Sequence, residues 1–382
     1  NVSSQYTQNS WIQLLGICSS KIMKFRWILL ILFLLIFTFQ SKNILTFVGV
    51  ELGVYFGFKE LDKNSSGFIE REEWSEGMFS LLDFDRDNLA SKEEFREFIK
   101  EFSKEFSWEN ELNNKYIFPS QLKKGSFQSA LMNTSIGYYI YIPDAYQEQP
   151  DKRFRTVYYL HGGRPGNEAR EAFIAHYVHE VFKNSSIDPA IYIFVNGGEL
   201  SHYNSDELDS YGEDIFIKEL IPHIDKVYRT IAKRQGRGLE GFSQGGRAAT
   251  RYMFKYPDLF RTVSAGGGSY TIERLIKESE GFEDDPRDDK ENIFYVGLGN
   301  DAWSLAEQHK SSQNVTPRLM LWSGKEDMNY MSIEEYHSFL ETLKIEHEFL
   351  SIEDVDHNSS IFYEKAGASL VKFHLGESEY AN

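Results

Sequence analysis

Cysteine is almost missing from this sequence, because Cys18 is the only one in 382 residues. It precedes Met23, where we expect synthesis to begin, so the mature protein would hold no cysteine. A disulfide framework, a thiol nucleophile and a lipid-modified cysteine are then all excluded. Export without disulfides is typical of a bacterial periplasmic or secreted protein.

Positive charge is also scarce. The chain has 41 Lys and Arg against 58 Asp and Glu, a net charge of −17. This excess argues against nucleic acid as a partner. It suits a soluble protein in which part of the acidic excess binds calcium. A hydrophobic content of 41% still provides for a substantial core, and the length allows two or three domains.

The apolar run that stands out near the N-terminus is short. Residues 27–39 carry no charge and follow the basic start Met-Lys-Phe-Arg at Met23. A basic stretch before such a run is typical of a signal peptide, and a membrane span needs roughly 20 apolar residues. We interpret residues 1–22 as translated sequence upstream of the start and residues 23–41 as a signal peptide of a secreted or periplasmic protein. An uncleaved membrane anchor is the alternative, and only then would the membrane be a partner.

The sequence around Ser243 has the form Gly-x-Ser-x-Gly between a predicted strand at residues 237–240 and a predicted helix at 246–255. Glycines are needed beside the serine because a side chain there would clash in the sharp, strained turn. Such a turn lifts the Ser243 hydroxyl above the sheet. It also aims the Gln244 N–H at the place where an oxyanion forms. The pattern is common by chance, so a plain turn that starts a helix is the competing interpretation.

Residues 62–73 fit the twelve-residue calcium loop of an EF-hand. Gly67 stands at the sixth position, where the loop turns sharply, and Ile69 at the eighth suits a short pairing with a second loop. The predicted ligands are Asp62, Asn64, Ser66, the Phe68 carbonyl and bidentate Glu73, with Glu70 at position nine.

A second copy of the loop follows at residues 83–94. Its predicted ligands are Asp83, Asp85, Asp87, the Leu89 carbonyl and bidentate Glu94, with Ser91 at position nine. Asn88 replaces glycine at the sixth position, and asparagine is the best non-glycine residue at positive φ. An acidic, solvated helix pair would not place glycine or asparagine there twice. Residues 50–105 thus resemble the compact tandem EF-hands of exported bacterial proteins, and we expect calcium to be structural rather than regulatory.

Residues 115–378 alternate strands and helices, which predicts an α/β domain with a doubly wound, mostly parallel sheet after the small all-α EF-hand pair. An antiparallel pair is predicted at residues 125–131 and 136–143. The further predicted strands are residues 154–160, 190–195, 237–240, 262–265, 293–297, 318–322 and 348–352, and the predicted helices include 168–183 and 214–228. The ligand site of such a sheet lies at the carboxyl ends of its strands.

Several separate motifs of this domain resemble the putative-esterase family of α/β-hydrolases. They are Tyr-Leu-His-Gly-Gly ending at Gly163, the stretch from Glu219 to Thr230, Gly-Phe-Ser-Gln-Gly-Gly-Arg-Ala-Ala, and Tyr-Pro-Asp-Leu-Phe from Tyr256. That family includes feruloyl and acetylxylan esterases, enterochelin esterases, S-formylglutathione hydrolases and mycolyltransferases. The resemblance implies an α/β-hydrolase fold and a serine esterase that uses no cofactor in catalysis.

The resemblance also implies a catalytic triad in the order Ser, Asp or Glu, His. Asp327 matches the family's Gly-x-x-Asp loop after a strand, and its neighbour Glu326 is the second choice. His357 matches the histidine loop after the last strand, although Asp356 replaces the glycine often found before that histidine. Ser243, Asp327 and His357 are therefore the predicted catalytic residues.

The remaining histidine motifs are interpreted without catalytic roles. The His-Gly-Gly motif resembles the family's oxyanion loop, which makes His161 structural and the Gly163 N–H the second oxyanion donor beside Gln244. His176 and His179 lack the His-Glu-x-x-His zinc pattern and are interpreted as a solvated helix face. Tyr203 is suggested as a wall of the acyl or sugar site by its loop position alone.

The sequence thus predicts an exported esterase that acts on feruloyl or acetyl esters of polysaccharide. Export disfavours an S-formylglutathione hydrolase, which would be cytosolic. A siderophore esterase or a mycolyl-type acyl enzyme is one alternative. A calcium-dependent binding protein with an inert hydrolase domain is the other, and the complete Ser-Asp-His order argues against it.

Overall fold

The computed structural model describes residues 42–74, 79–102, 106–283, 293–312 and 314–376. The interpreted upstream sequence 1–22, the signal segment 23–41 and Cys18 lie outside the described residues. The described residues form two compact units, one that ends by residue 102 and one that begins at Phe106. Residue 115, where the sequence predicts that the second domain begins, lies inside the second unit. We call them the helical unit and the hydrolase unit.

The helical unit carries the two predicted calcium loops. Its elements are α1 (Lys42–Leu61), β1 (Phe68–Glu70), a 3-10 turn (Arg71–Glu73), α2 (Phe79–Leu82), β2 (Leu89–Ser91) and α3 (Lys92–Phe102). The strands β1 and β2 lie inside the two loops and pair antiparallel, with Ile69 opposite Ala90. Both of these side chains are fully buried among the aromatic residues of the unit's core. The pairing that Ile69 predicts is therefore present.

The hydrolase unit is built on one large sheet. Its strands are β3 (Leu122–Ser129), β4 (Thr134–Tyr141), β5 (Thr156–Leu160), β6 (Ile191–Val195), β9 (Arg237–Phe242), β10 (Thr262–Gly266), β13 (Arg318–Gly324) and β14 (His347–Ile352). Outside this sheet, two short antiparallel pairings of two residues each are formed by β7 (Asn204–Ser205) with β8 (Ser210–Tyr211) and by β11 (Phe282–Glu283) with β12 (Phe294–Tyr295).

The helices lie between these strands. They are α4 (Ala145–Glu148), α5 (Ile174–Asn184), α6 (Gly212–Asp214), α7 (Ile221–Val227), α8 (Gln244–Lys255), α9 (Tyr270–Glu278), α10 (Ala302–Ser311), α11 (Tyr330–Thr342) and α12 (Ser359–Leu375). A π-helical turn, Ile215–Leu220, joins α6 to α7, so the predicted helix 214–228 is nearly continuous. None of the helices in the described part of the chain combines the length and the apolar character that crossing a bilayer requires.

The strand order confirms the predicted α/β-hydrolase sheet. It runs β14-β13-β10-β9-β5-β6-β4-β3, with the first six strands parallel and the hairpin β3–β4 antiparallel at one edge. The buried strands are nearly all apolar because both faces of the sheet are covered. In β5, Tyr158 and Leu160 enter one core, while Val157 and Tyr159 enter the other, which also holds α5 and α12 residues.

Two predicted elements are wrong in their bounds or place. The helix predicted from residue 168 starts only at Ile174, because Glu168 and Glu171 turn their carboxylates inward to accept hydrogen bonds from Asn196 and Ser359. The strand predicted at residues 293–297 does not join the main sheet. It is reduced to β12, since the chain turns at Gly297, where φ is 104°.

Candidate active site and calcium loops

Ser243 lies between β9 and α8 on a strained turn. Its φ of 56° and ψ of −116° are unfavourable for a residue with a side chain. A Cβ on Gly241 would lie 2.2 Å from the Gly245 oxygen, and one on Gly245 would lie 2.0 Å from the Leu160 oxygen. Neither glycine can therefore be replaced without moving the backbone, as the Gly-x-Ser-x-Gly pattern predicts.

The structure brings Ser243, His357 and Asp327 into one hydrogen-bonded line. His357 Nε2 lies 3.0 Å from Ser243 Oγ, and its Nδ1 lies 2.9 Å from both Asp327 carboxylate oxygens. Because a carboxylate only accepts, Nδ1 donates to Asp327, and Nε2 is left to accept the Ser243 hydroxyl proton. This arrangement makes the serine a nucleophile with an adjacent base.

The loops that carry Asp327 and His357 are fixed by further contacts. Asp327 Oδ1 accepts from the Asn329 N–H at 2.8 Å, and the Asn329 amide donates to the Gly267 carbonyl at 2.8 Å. Asn358 caps α12 through its Oδ1, which accepts from Ser360 N–H at 2.9 Å. The acid and the base are thus held from separate strands and meet over β9.

The alternative acid, Glu326, is placed differently. Its side chain is exposed, whereas the Asp327 side chain is 1% exposed and contacts His357. Asp356, which replaces the family's glycine, is buried next to His357. The geometry therefore favours Asp327 over Glu326 as the partner of the histidine.

The predicted oxyanion loop lies against the serine. A Cβ on Gly162 would stand 3.0 Å from Ser243 Cβ, and Gly163 has a φ of 75° that favours glycine. His161 accepts from the Gly197 N–H at Nε2 (3.0 Å) and donates from Nδ1 to the Gly162 carbonyl (3.1 Å). Burial holds the pKa of His161 well below its usual range, so this ring is neutral. Its bonds to backbone agree with the structural interpretation of His161.

Tyr203 does not line an open site, so that suggestion from its position is wrong. The ring is fully buried, and its hydroxyl donates to Glu273 Oε1 at 3.1 Å. It accepts from Arg247 and Arg251, each at 2.8 Å. Sequence reasoning missed this buried charged cluster. Its signal is the pair of arginines four residues apart on the helix after the nucleophile, on the side that faces inward.

His176 and His179 lie half-buried on α5. His179 Nδ1 contacts the Tyr141 hydroxyl at 3.1 Å, and His176 packs edge-on against Tyr177. In the described residues, the acidic and histidine groups that could together hold a metal are Asp83, Asp85 and Asp87. The two rings are thus only partly exposed on this helix face.

The second predicted calcium loop gathers carboxylates. One oxygen from each of Asp83, Asp85 and Asp87 lies within 4.8 Å of the others. Asp83 is 4% exposed, and its Oδ1 has no hydrogen-bond partner. Burial raises the pKa of Asp83. Asn88 takes the positive φ, 68°, that its position requires.

The first predicted loop has the same backbone form. Gly67 has a φ of 92°, and Asp62 accepts from the Ser66 and Gly67 N–H groups at 2.9 and 3.0 Å. Glu73 accepts from three backbone N–H groups, and the one from Glu70 contributes most to lowering the pKa of Glu73. Asn64 Oδ1 accepts from Ser66 N–H, and the Ser66 hydroxyl contacts the Phe68 carbonyl at 3.2 Å.

The bidentate position of the second loop is built like that of the first. Glu94 Oε1 accepts from the Phe84 N–H at 2.8 Å, and Oε2 accepts from Ser91 at 2.8 Å. Burial opposes ionisation, but the hydrogen bonds from Ser91, Asp85 and Phe84 together outweigh it, and the pKa of Glu94 is lowered. Leu89 follows at the start of β2. Both loops thus place an ionised carboxylate at the twelfth position.

Comparison with known proteins identifies relatives of the hydrolase unit. Residues 129–351, more than half of the chain, match the family described as "Esterase: Putative esterase". Esterase MT1326 and esterase Rv1288, from two strains of Mycobacterium tuberculosis, are each 27% identical over 153 residues. That match covers 39% of this chain and 32% of each relative, so the chain spans about a third of the curated relatives it matches.

Solved structures share the fold. A ferulic acid esterase is 23% identical and has a TM-score of 0.55, covering 68% of this chain and 98% of its own. An S-formylglutathione hydrolase, FrmB from Staphylococcus aureus, is 17% identical with a TM-score of 0.52, covering 66% and 98%. At these identities the likeness shows the α/β-hydrolase fold alone.

Proposed function

The chain belongs to the putative esterase family, and from this premise we propose that it is a serine hydrolase of carboxylic esters. Family membership supports the reaction class. The observation that carries the proposal is the line from Ser243 through His357 to Asp327, with contacts of 3.0 and 2.9 Å. A hydrolase domain without activity would not be expected to keep these three side chains within hydrogen-bonding distance of one another.

The proposed reaction has two steps. His357 Nε2 takes the Ser243 proton as Oγ bonds to the ester carbonyl carbon, while Asp327 holds the imidazole in the required tautomer. The Gln244 and Gly163 N–H groups bind the oxyanion that forms. The alcohol then leaves with the proton from His357. Water, deprotonated by His357, attacks the acyl-enzyme and releases the carboxylic acid and free Ser243.

The experiment is an ester panel. Wild-type protein and Ser243→Ala are assayed for release of acetate, ferulate and p-nitrophenol. Loss of a triad member typically lowers kcat on the order of 10⁴- to 10⁶-fold, and the variant should keep the wild-type circular dichroism spectrum. Near-normal turnover by Ser243→Ala would contradict the assignment of the nucleophile.

We propose that the ester is linked to polysaccharide, and a cleft beside the site supports this. The cleft has a volume of about 520 Å³ and is called the side cleft here. It is lined by two aromatic residues, three acidic residues and four hydroxyl residues together with Met132, namely Phe106, Trp108, Glu109, Glu199, Asp209, Ser107, Thr134, Ser135 and Ser210. Among the described residues that line it there is no lysine or arginine, so this lining does not favour an anionic ligand.

The side cleft is shaped and placed for part of a long substrate. Its carboxylates do not converge on one point, since the described residues form such a group only at Asp83, Asp85 and Asp87. Dispersed acceptors beside an aromatic ring suit the hydroxyls and apolar faces of a sugar. The cleft includes the start of β4, three strands from β9 on the carboxyl edge.

The wall of the side cleft is held firmly. The Trp108 carbonyl accepts from the Gly137 N–H at 2.7 Å, and the Asn196 amide donates to the Ser107 carbonyl at 3.1 Å. Phe106 packs edge-on against Trp108 with ring centres 4.8 Å apart. A preformed aromatic wall binds a sugar without first having to be ordered.

We propose that the two loops of the helical unit bind calcium as a structural ion. The residues fit the ion: oxygen donors stand at the ligand positions of both loops, and a buried Asp83 oxygen has no other partner. Asp62, Asn64, Ser66, the Phe68 carbonyl and Glu73 would hold one ion. Asp83, Asp85, Asp87, the Leu89 carbonyl and Glu94 would hold the other. Bound calcium neutralises these clusters and takes no part in ester hydrolysis.

We also propose that the protein is exported, on the basis of the predicted signal segment 23–41. The mass of the protein recovered outside the cytoplasm should correspond to a chain that begins after residue 39. Recovery of the full-length species in the membrane fraction would favour an anchor instead.

A further inference from the structure

The two proposed oxyanion donors lie on segments that each carry an arginine paired with the buried Glu283 carboxylate. Gln244 begins α8, and Gly163 is followed directly by Arg164. We propose that Glu283 is a positioning residue that sets the distance between these two segments, acting through Arg247 on one side and Arg164 on the other. The proposal rests on the esterase function above, because it concerns the oxyanion site of that reaction.

On the nucleophile side, the contact runs through Arg247. Its Nη1 donates to the Gln244 side-chain oxygen at 2.9 Å and to Glu283 Oε1 at 3.2 Å. Arg247 is 1% exposed, so solvent does not compete for these bonds. The residue whose N–H would bind the oxyanion is thereby tied to Glu283 through one guanidinium nitrogen.

On the oxyanion-loop side, the contact runs through Arg164. Its Nη2 donates to both Glu283 oxygens, at 2.9 and 2.8 Å. The guanidinium also lies over the Phe294 ring, 4.9 Å from its centre. The carbonyl of the preceding Gly163 accepts from Ser201 Oγ at 2.5 Å. The loop is therefore held directly after the proposed donor, the Gly163 N–H.

Glu283 is the point at which these two sets of contacts meet. It is 1% exposed and accepts from two arginines that are 83 residues apart in sequence. Such a buried carboxylate is costly unless it is well paired. Its pairing spans the two segments, so the separation of the segments and the satisfaction of the charge are linked.

A second acid keeps Arg247 in place independently. Glu273 Oε1 accepts from Arg247 Nε at 2.7 Å and from Arg251 Nη1 at 2.5 Å. Loss of the Glu283 charge therefore leaves Arg247 paired while the link to Arg164 is weakened. A substitution that removes the Glu283 charge can therefore alter the oxyanion site without disrupting the pairing of Arg247 with Glu273.

The test is Glu283→Gln, which keeps the size of the side chain and removes its charge. Loss of a whole oxyanion donor costs about 10²- to 10³-fold in kcat, and a displaced donor should cost less. We expect kcat on p-nitrophenyl acetate to fall roughly 10- to 100-fold on this scale, with KM little changed. The affinity of a trifluoromethyl ketone, whose adduct with Ser243 carries an oxyanion, should fall in parallel with kcat/KM.

The matched control is Asp225→Asn. Asp225 pairs with Arg237 at the start of β9, the strand that ends next to Ser243, and both side chains are mostly buried. This variant should lose melting temperature but keep kcat and ketone affinity. If Glu283→Gln does not fold, Arg164→Met leaves the Arg247–Glu283 pair intact and should show the same fall in kcat and ketone affinity.

The positioning role would be overturned if Glu283→Gln or Arg164→Met kept the wild-type kcat and ketone affinity and lost only melting temperature. Ester hydrolysis by the wild type would then still stand. A wild-type protein that hydrolyses no ester of the panel would overturn the proposed function first, and this role with it.

Discussion

The carboxylates at the candidate active site and those in the two predicted calcium loops are held in different ways. In the hydrolase unit, Glu273 and Glu283 contact arginine side chains, and Asp327 contacts His357. In the helical unit, Glu73 accepts from backbone N–H groups, and Asp83 does so with one oxygen while the other has no partner. A backbone N–H stabilises a carboxylate but does not cancel its charge.

This difference indicates what each unit requires from solution. At the candidate active site, Glu273, Glu283 and Asp327 are paired with arginine or histidine side chains of the same unit. The second loop of the helical unit gathers the carboxylates of Asp83, Asp85 and Asp87, whose charge a divalent cation would neutralise. The sequence motif and the charge balance thus lead to the same proposal for calcium.

The largest effect is expected from breaking the pair in the hydrolase unit. Asp327→Asn should lower kcat about 10⁴-fold, because the amide favours the wrong imidazole tautomer. Glu326→Gln is the matched control, one residue away and exposed, and should stay close to wild type. Steady-state kinetics on one small ester measures both. A larger loss in Glu326→Gln would make Glu326 the acid.

Removal of calcium should affect the helical unit next. An ion that binds only the folded state stabilises it by roughly 2.7 kcal/mol at a hundredfold excess over Kd. EGTA should therefore lower the melting temperature while kcat at 25 °C changes little.

The second loop has carboxylates at positions one, three and five and should bind calcium more tightly than the first loop. Asp83→Asn should therefore weaken calcium binding more than Asp62→Asn.

The calcium titration also has an outcome that would change the interpretation. If EGTA abolished ester turnover while the near-ultraviolet circular dichroism of the hydrolase unit was unchanged, calcium would act as a regulatory switch. Readdition of calcium would then restore turnover. Unchanged melting in EGTA would contradict calcium binding altogether.

Lowering the pH should destabilise the hydrolase unit through a buried histidine, His202. Burial lowers the pKa of His202 to about 3, whereas the unfolded value is about 6.5. Above pH 6.5 the ring is neutral in both states. Below it, only the unfolded chain binds the proton, so the free energy of unfolding falls by about 1.4 kcal/mol per pH unit.

His202→Asn tests this slope. Asparagine tolerates the φ of 74° at this position, and it does not titrate. Urea melts of the hydrolase unit in excess calcium should therefore show a smaller loss of stability between pH 6.5 and 5.5 in the variant. Equal slopes in the variant and the wild type would show that the pKa of His202 is the same in the folded and unfolded states.

The smallest effect is expected in the side cleft. Trp108→Ala removes one aromatic contact to a sugar, worth on the order of 1 kcal/mol, and should raise KM for a polysaccharide ester roughly 5-fold. KM for p-nitrophenyl acetate should not change, because that substrate does not reach the cleft. An equal rise for both substrates would show that Trp108 supports the fold rather than the polymer.

Local features of the site could be predicted from the sequence, because their causes are local. The turn at Ser243 follows from neighbours that admit no side chain, and the positive φ of Asn88 follows from loop position. Asp327 and His357 could be placed because the loops that carry them, each after a predicted strand, resemble the acid and histidine loops of the esterase family. The start of α5 could not, since the carboxylates of Glu168 and Glu171 bond to distant residues.

The charged cluster behind the nucleophile could not be predicted either. Glu283 and Arg164 are 119 residues apart, and their contact depends on how the oxyanion loop and β11 meet. The short strand β12 was misplaced for a related reason: an apolar run of five residues does not reveal whether its partner is a long strand or a two-residue one. Tyr203 was misplaced because a position in a loop says nothing of burial.

The closeness of the backbone around Ser243 has a consequence for which positions of this site could vary. Gly241 and Gly245 each face main-chain oxygens at about 2 Å from any added carbon, so substitution there is closed to gradual change. Variation in substrate range must instead arise in the surrounding loops, which tolerate new side chains. In the segment after β6, Glu199 and Asp209 line the side cleft and could vary, whereas Ser201 bonds to the Gly163 carbonyl and could not. New specificity in this lineage would thus be acquired at the periphery while the centre stays fixed.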